Sequence, residues 1–157
     1  MSGFRLTSAS LTGPVARGLI HELNAELAAT YPEEGANHFR LDPEEVGPGR
    51  GAFLVASDVR TGVPLGCGAV RLLEPGLAEV KRMYVRQAAR GRGVSKALLA
   101  ELEARALALG VTRLVLETGT RQAQAIGLYL GSGFSDIERY GEYVGSELSR
   151  CMAKSIA

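Results

Sequence analysis

The chain has 157 residues and a mass of 16.6 kDa, which suits one folded unit, since two would each fall below the ~100–150 residues typical of a domain. Hydrophobic residues make up 46% and charged residues 22%, and 18 Lys+Arg against 17 Asp+Glu leave a formal charge of +1. This composition excludes a disordered chain, and the balanced charge gives no overall reason to expect nucleic acid or an anionic membrane surface as partner. No apolar run approaches the ~20 residues of a membrane span, and no basic stretch followed by an apolar core opens the chain, so a cytoplasmic location is expected. Cys67 and Cys151 each lie in an apolar stretch without metal or redox spacing; they are expected as reduced core thiols, and no metal is expected. The one compositional excess is glycine, at 20 residues, roughly 13% against a usual ~7%.

In chain order, residues 3–8 alternate weakly and predict a short first strand. Thr12-Gly13-Pro14 supplies a helix start, with Val15, Leu19, Leu23 and Leu27 at helical spacing behind it. From Thr30 to Gly51 the chain is rich in Pro, Gly and acid, and predicts a loop with one short helix around Pro43–Val46. Three runs, residues 52–56, 64–73 and 78–85, are separated by turn residues and predict an antiparallel meander. Beyond Gly91 the period changes: Val94, Leu98, Leu102, Ala106 and Leu109 share one helical face, and Gly110 ends it. The apolar run at 112–117 implies a parallel crossover; a helix over about 121–130 and strands near 134–138 and 147–154 complete the chain. The fold class is therefore a mixed α/β layer structure, not a doubly wound sheet.

Between Val80 and Ala100 there is no Asp or Glu, while Lys81, Arg82, Arg86, Arg90, Arg92 and Lys96 supply six positive charges without local compensation. Within this window Arg90-Gly91-Arg92-Gly93-Val94-Ser95 stands at a strand-to-helix junction. Helix N-terminal amides there lack partners, the dipole favours an anion, and glycines admit a phosphate close to the backbone. A nucleotide P-loop needs GxxxxGK[ST], and the second glycine is missing. A dinucleotide GxGxxG needs a glycine where Lys96 stands. A nucleic-acid-binding reading lacks aromatic interleaving and any module signature.

Arg90 to Ser95, preceded by Val80 to Val85 and followed by Leu98-Leu99, resembles the acetyl-CoA motif [QR]xxGx[GA] of the GCN5-related N-acetyltransferases (GNAT). Residues 125–134, Ala-Ile-Gly-Leu-Tyr-Leu-Gly-Ser-Gly-Phe, resemble that family's second signature, AIxLYxxxGF. The likeness covers roughly residues 50–155. It extends to a bacterial subgroup with Leu116-Glu117-Thr118-Gly119 after the fifth strand and a C-terminal Cys151-Met152-Ala153-Lys154. Ser95 stands where the family has Gly or Ala, and Gln122 where it often has Asn.

The resemblance implies a GNAT fold: a mostly antiparallel sheet, splayed between parallel strands 4 and 5 and flanked by helices. It also implies one N-acetyltransferase domain over 1–157, with a cofactor-binding core at about 76–134 and an acceptor side built from 12–50 and 135–157. Acetyl-CoA is the implied co-substrate. Main-chain groups of Met83, Tyr84 and Val85 would pair with the pantetheine amides as an added strand. Amides from Arg90, Gly91, Arg92, Gly93, Val94, Ser95 and Lys96 would hold the pyrophosphate, and Gln122 would touch the pantetheine arm. Tyr129 is the implied general acid for the departing thiolate, with a helix tyrosine packed on the sheet as its alternative. Glu79 is the candidate base for the amine, with a solvated strand carboxylate as its alternative.

The implied reaction moves an acetyl group to a primary amine, on a small molecule or a peptide, by direct attack in a ternary complex. A CoA-binding regulatory module without turnover and a nucleic-acid-binding domain are the competing readings. His38 stands in the loop expected to wall the acceptor site, His21 on the first helix surface, and Tyr140 and Tyr143 either at the acceptor pocket or over the sheet edge. Five carboxylates, Glu33, Glu34, Asp42, Glu44 and Glu45, in that loop favour a cationic acceptor if the loop lies over the site. Dimers through the C-terminal strands are frequent in the family, which implies a homodimer.

Overall fold

The computed structural model describes residues 3–33 and 41–157. One seven-stranded sheet carries the chain: β1 (Phe4–Ser8), β2 (Gly51–Asp58), β3 (Pro64–Glu74), β4 (Leu77–Val85), β5 (Arg113–Gly119), β6 (Ser135–Ile137) and β7 (Ser149–Ser155), in the order β1-β2-β3-β4-β5-β7-β6. β2, β3 and β4 form the expected antiparallel meander, and β1 adds to it antiparallel to β2. The crossover through α2 (Val94–Ala108) makes β4 and β5 parallel, as a connection containing a helix allows. β7 then inserts antiparallel between β5 and β6.

Helices cover both faces. Val94, Leu98, Leu99, Leu102 and Ala106 of α2 are buried against Leu54, Val70, Val80 and Leu114, and α3 (Ala123–Gly131) brings Ala125, Leu128 and Tyr129 to the same cluster. At about 1.5–3 kcal/mol for each large apolar side chain removed from water, this face dominates the core. On the opposite face α1 (Pro14–Thr30) places Ala16 and Leu19 against Phe53, Val55, Cys67 and Ala69. Pro14 occupies the first helical turn, where its missing N–H costs nothing. Cys67 and Cys151 are buried free thiols, and burial pushes Cys67 up to about 12.

Two departures from ideal sheet geometry matter for function. The β4–β5 ladder runs from Leu77–Arg113 to Val80–Leu116 and stops there, although β4 continues to Val85 and β5 to Gly119. On its other side β4 carries an extra residue against β3, where pairing passes from Ala69–Lys81 to Cys67–Tyr84. Arg82 sits in this bulge with φ of 60°, the one non-glycine residue at positive φ among those described, and the Cys67 thiol donates to its carbonyl at 3.3 Å. Bulges increase local twist and bend a strand, which turns β4 away from β5.

β3 accommodates the bend by having no side chain at the closest approach. A Cβ on Gly66 would lie 2.5 Å from the Tyr84 carbonyl oxygen and 3.1 Å from Val85 Cα, both main-chain atoms that cannot swing aside. Gly66→Ala is therefore expected to lower unfolding free energy by about 1–3 kcal/mol, read from the urea midpoint; an unchanged midpoint would show that β3 and β4 can separate freely there.

Candidate functional site

Past the last β4–β5 pair the two strands diverge, and the gap between them is roofed by α1 and α3. Two cavities occupy it. One, of about 410 Å³, runs along Met83, Tyr84 and Val85 and is bordered by Arg90, Ser95, Gln122 and Tyr129. The other, of about 110 Å³, lies deeper in the cleft between Val80, Lys81 and Arg82 of β4 and Glu117, Thr118 and Gly119 of β5. Leu23, Leu27, Met83, Gln122, Ala125 and Tyr129 line both, so the two meet at Tyr129.

At the outer end of the larger cavity the chain turns into α2. Arg90 N–H bonds Gln87 O, and the next main-chain bond in this stretch is Ala97 N–H to Gly93 O, so the amides between them open at the helix start. Gly91 and Gly93 hold φ of 83° and 81°, and a Cβ on either would meet nothing within 4 Å. Their requirement is conformational, and the space beside them is clear for a ligand. Val94 is buried in the core, and Ser95 borders the cavity. The cleft and the amide turn together form a cradle suited to an extended arm ending in a diphosphate.

The basic side chains of this stretch are compensated through space. Arg86 pairs with Glu22 at 2.7 Å and Arg90 with Glu26 at 2.6 Å, both carboxylates on α1; Arg92 reaches Asp58 at 3.4 Å. Lys96 is exposed. The uncompensated charge expected from the sequence window is thus reduced, because carboxylates distant in sequence supply counter-charges. These pairs also dock α1 over the cofactor-sized cavity. Gln122, expected against the pantetheine arm, accepts the Gly119 N–H at 2.8 Å with its side-chain oxygen while lining both cavities.

Tyr129 is 5% exposed and packs edge-on against Phe134, ring centroids 5.8 Å apart. Burial first, then the charge of Glu117, pushes its phenol above the usual range, which keeps the proton on the oxygen. Glu117 is the functional candidate that sequence reasoning missed, although its LETG segment was in view. It stands one residue past the last β4–β5 pair, lines the deeper cavity, and its Oε2 accepts a 2.6 Å hydrogen bond from Ser149 Oγ. Burial raises its pKa, partly opposed by that hydrogen bond and by Lys81. No alternation or spacing marks one carboxylate in a strand as the residue where pairing ends, so the signal is three-dimensional.

Glu79, the candidate base, is held within an ion network and is not the solvated strand carboxylate of the alternative reading. It is 1% exposed. Oε1 accepts from Arg71 Nε at 2.9 Å, with Arg71 Nη2 at 2.8 Å, and Oε2 accepts from the Tyr140 hydroxyl at 2.5 Å. Arg71 in turn holds Glu45 at 2.6 Å. Neither cavity that meets at Tyr129 is lined by Glu79. The carboxylate anchors an ion network beneath β4 instead of facing the cleft. Tyr140 belongs to this network, whereas Tyr143 lines the deeper cavity and accepts a hydrogen bond from Lys81 Nζ at 3.3 Å.

The acidic loop is also engaged internally. Glu33 pairs with Arg121 at 2.8 Å, Glu45 with Arg71, and Asp42 with Glu45 forms a capping box on the Pro43–Val46 turn. Glu34 and His38 lie outside the described residues, and His21 borders a further cavity of about 370 Å³ beside α1. The expectation that these carboxylates present an open cation site therefore fails for Glu33, Asp42 and Glu45.

Comparisons with known proteins agree with this cleft. A family model described as Acetyltransferase (GNAT) family matches residues 17–134. An IAA acetyltransferase of Azospirillum brasilense is 42% identical over 139 residues, covering 88% of each chain. A Klebsiella pneumoniae structure named for acyl-CoA N-acyltransferase activity superposes with TM-score 0.82 at 30% identity over 98% of each chain. A GNAT acetyltransferase of Elizabethkingia anophelis, solved with acetyl-CoA bound, has TM-score 0.69 at 14% identity over 99% of each chain, a likeness of fold. With a match over most of its length and a cradle that fits the co-substrate, the chain belongs to the GNAT family of acetyltransferases, which use acetyl-CoA.

Proposed function

We propose that this acetyltransferase moves an acetyl group from acetyl-CoA to a primary amine by direct attack within a ternary complex. The observation that carries the reading is the pair of cavities meeting at Tyr129, one shaped for the pantetheine arm and the other for the acceptor. Acetyl-CoA supplies an acyl group activated as a thioester. Residues 83–85 offer main-chain groups to the pantetheine amides, and the amides of residues 91–96 receive the diphosphate. Arg90 borders the arm, while its pairing with Glu26 holds the α1 roof in place.

An amine attacks only as the free base, so a proton has to leave it within the cleft. We assign that role to Glu117, whose raised pKa brings it closer to the working pH and whose carboxylate is steadied by Ser149. The sulfur that departs needs a proton in turn, and Tyr129 holds one throughout the working pH range. The base and the acid line the same deeper cavity. Glu79 keeps β3, β4 and the 140–143 turn in register through Arg71 and Tyr140, so its part is positional.

Calorimetric titration with acetyl-CoA followed by free-thiol release against a panel of amines tests the reading; absence of heat with acetyl-CoA would overturn it, and heat without thiol release from any amine would favour the regulatory module. Tyr129→Phe is expected to lower kcat by about 10²–10⁴-fold, with acetyl-CoA affinity unchanged in the same titration. Equal rates would remove Tyr129 from proton transfer.

Glu117→Gln is expected to lower kcat/KM by a similar order, about 10²-fold or more. The pH profile separates it from a structural role. A base works deprotonated, so the wild-type rate falls as pH drops through the raised Glu117 pKa, on top of the fall caused by protonating the amine. The wild-type logarithmic profile should steepen at low pH, and the variant should lack that second break; retention of the break would exclude Glu117. Glu79→Gln should instead lower stability by about 3–5 kcal/mol, because it leaves Arg71 partly uncompensated, with the profile keeping its shape.

A further inference from the structure

Resting on the assignment of Glu117 as the base, we infer that Ser149 and Ser146 form a hydroxyl relay that carries a proton from Glu117 out of the cleft on the side away from both substrates. Glu117 lines the deeper cavity. Ser149 lines neither cleft cavity and borders a separate outer cavity of about 480 Å³, together with Thr120, Arg139, Val144 and Cys151. The hydrogen bond from Ser149 Oγ to Glu117 Oε2, 2.6 Å long, therefore joins two spaces that share no lining residue.

Strand register brings these groups together. Ser149 pairs with Gly119 and Cys151 with Glu117, so Ser149 is the diagonal neighbour of Glu117 on one face, and Gly119 puts no side chain between them. The buried Ser149 hydroxyl has one hydrogen and two acceptors, Glu117 Oε2 at 2.6 Å and Ser146 Oγ at 2.7 Å. With Glu117 ionised, that hydrogen goes to the carboxylate. With Glu117 protonated, the acid donates to Ser149, and the Ser149 hydrogen turns to Ser146. Ser146 is half-buried in the turn that leads into β7. Its carbonyl accepts the Ser149 N–H at 3.1 Å and a bond from the Arg139 guanidinium, and its own N–H reaches the Tyr143 carbonyl at 2.9 Å, which fixes the turn.

The proton count requires such an exit. A primary amine arrives mostly as its ammonium at neutral pH, and two of its three N–H protons must leave before it is an amide. One ends on the CoA sulfur, and the other leaves the protein. Glu117 takes the first proton and must lose it before taking the second, once the bond from nitrogen to the thioester carbon has formed. At that stage pantetheine fills the larger cavity and the acceptor the deeper one, so the cleft side is closed. Along the relay the Glu117 proton passes to Ser149 Oγ, the Ser149 hydrogen to Ser146 Oγ, and that of Ser146 to water at the surface. The carboxylate is restored and each serine keeps one hydrogen. The C–S bond then breaks, the Tyr129 proton goes to sulfur, and the second proton on Glu117 replaces it. Lys81, Glu79 and Glu142 act on the charge of Glu117, which in turn acts on Tyr31, Tyr129, Tyr143 and Cys151. Glu138, Arg139 and Arg150 border the outer cavity, the last paired with Asp136 at 2.6 Å. The serines stay uncharged at any working pH, so the relay adds no break of its own to the pH profile.

The test compares Ser149→Thr with Ser149→Val, two residues of like shape that both suit a strand and differ by the hydroxyl. Thiol release is followed across pH with the amine of the panel that reacts fastest. Below the amine pKa, Ser149→Val is expected to be about tenfold or more slower than Ser149→Thr. The difference should vanish as pH approaches the amine pKa, where the free base enters and one proton fewer has to leave. Ser146→Val against Ser146→Thr should show the same pattern while the low-pH break of Glu117 stays in place, since the bond from Ser149 to Glu117 is intact there. The Ser146 pair, in a half-buried turn, carries the test alone if a larger residue at position 149 unfolds the protein. A hydrogen bond that only orients Glu117 would give no difference at Ser146. Equal rates for the Ser146 pair, or a difference that persists through the amine pKa, would overturn the relay while leaving Glu117 as the base. Wild-type rates in Glu117→Gln, or no thiol release from any amine, would overturn the base assignment and the relay with it.

Discussion

The separation of β4 from β5 after Val80 and Leu116 is the constraint on which the site depends. A parallel pair that continued its ladder would satisfy its own main-chain groups and leave no room between the strands. Divergence leaves Met83 to Val85 without a strand partner on the β5 side, with the Val85 carbonyl accepting from Arg90 Nε at 2.9 Å, and opens a cleft whose walls are residues that would otherwise face a neighbouring strand. The bulge at Arg82 and the bare backbone at Gly66 and Gly68 produce the bend from the β3 side, and a Cβ on Gly68 would meet Met83 Sδ at 2.6 Å. The helix turn at Gly93 then receives whatever emerges from the outer end of the cleft.

Opening a sheet exposes it to collapse or slippage, and a buried ion network opposes both. Glu79 lies on the paired part of β4, fixed to β3 through Arg71, to the Pro43–Val46 turn through Arg71 and Glu45, and to the 140–143 turn through Tyr140. Breaking any of these leaves a charge in a poorly hydrated place, which is far more costly than the net gain of forming the pair. The network thus acts as a geometric lock for the segment immediately before the splay. Glu22 and Glu26 serve α1 in a comparable way, although in more exposed positions where each ion pair is worth about 0–1 kcal/mol.

Much of the architecture was legible because it rests on local chemistry. The change of apolar period at Val94, the Pro14 start, the Gly110 stop and the turn residues between 58 and 76 produce elements close to their expected bounds, and the short helical turn falls on Pro43–Val46 as predicted. The strand-to-helix turn with Gly91 and Gly93 at positive φ was legible for the same reason, since glycine spacing and a helix start are local. What could not be read was pairing across the chain. Arg86 and Glu22 lie 64 positions apart, Arg71 and Glu45 26 apart, so a window of sequence that seems uncompensated is neutralised by folding. Glu79 was expected to act as a base because it precedes the cofactor strand, but strand position does not reveal which carboxylate has partners. Glu117 was overlooked because nothing in Leu-Glu-Thr-Gly tells that pairing with β4 ends there. Gly119 itself is fixed by packing: a Cβ there would collide with the Tyr31 hydroxyl.

The same long-range pairing decides the electrostatic character of the cleft. Summed along the sequence, the segment over 33–45 is acidic and the one over 80–96 basic, which suggests a cation on one side and a polyanion on the other. Folding redistributes both. Glu33 and Glu45 neutralise arginines from β3 and the β5–α3 turn, while α1 neutralises Arg86 and Arg90 beside the cofactor cleft. Lys81 and Arg82, from the basic window, instead line the deeper cavity. Positive charge that is contiguous with Arg90 and Arg92 in sequence is thereby placed at the deeper cavity, so the electrostatics of the cleft follow from the geometry of one strand more than from the composition of any segment.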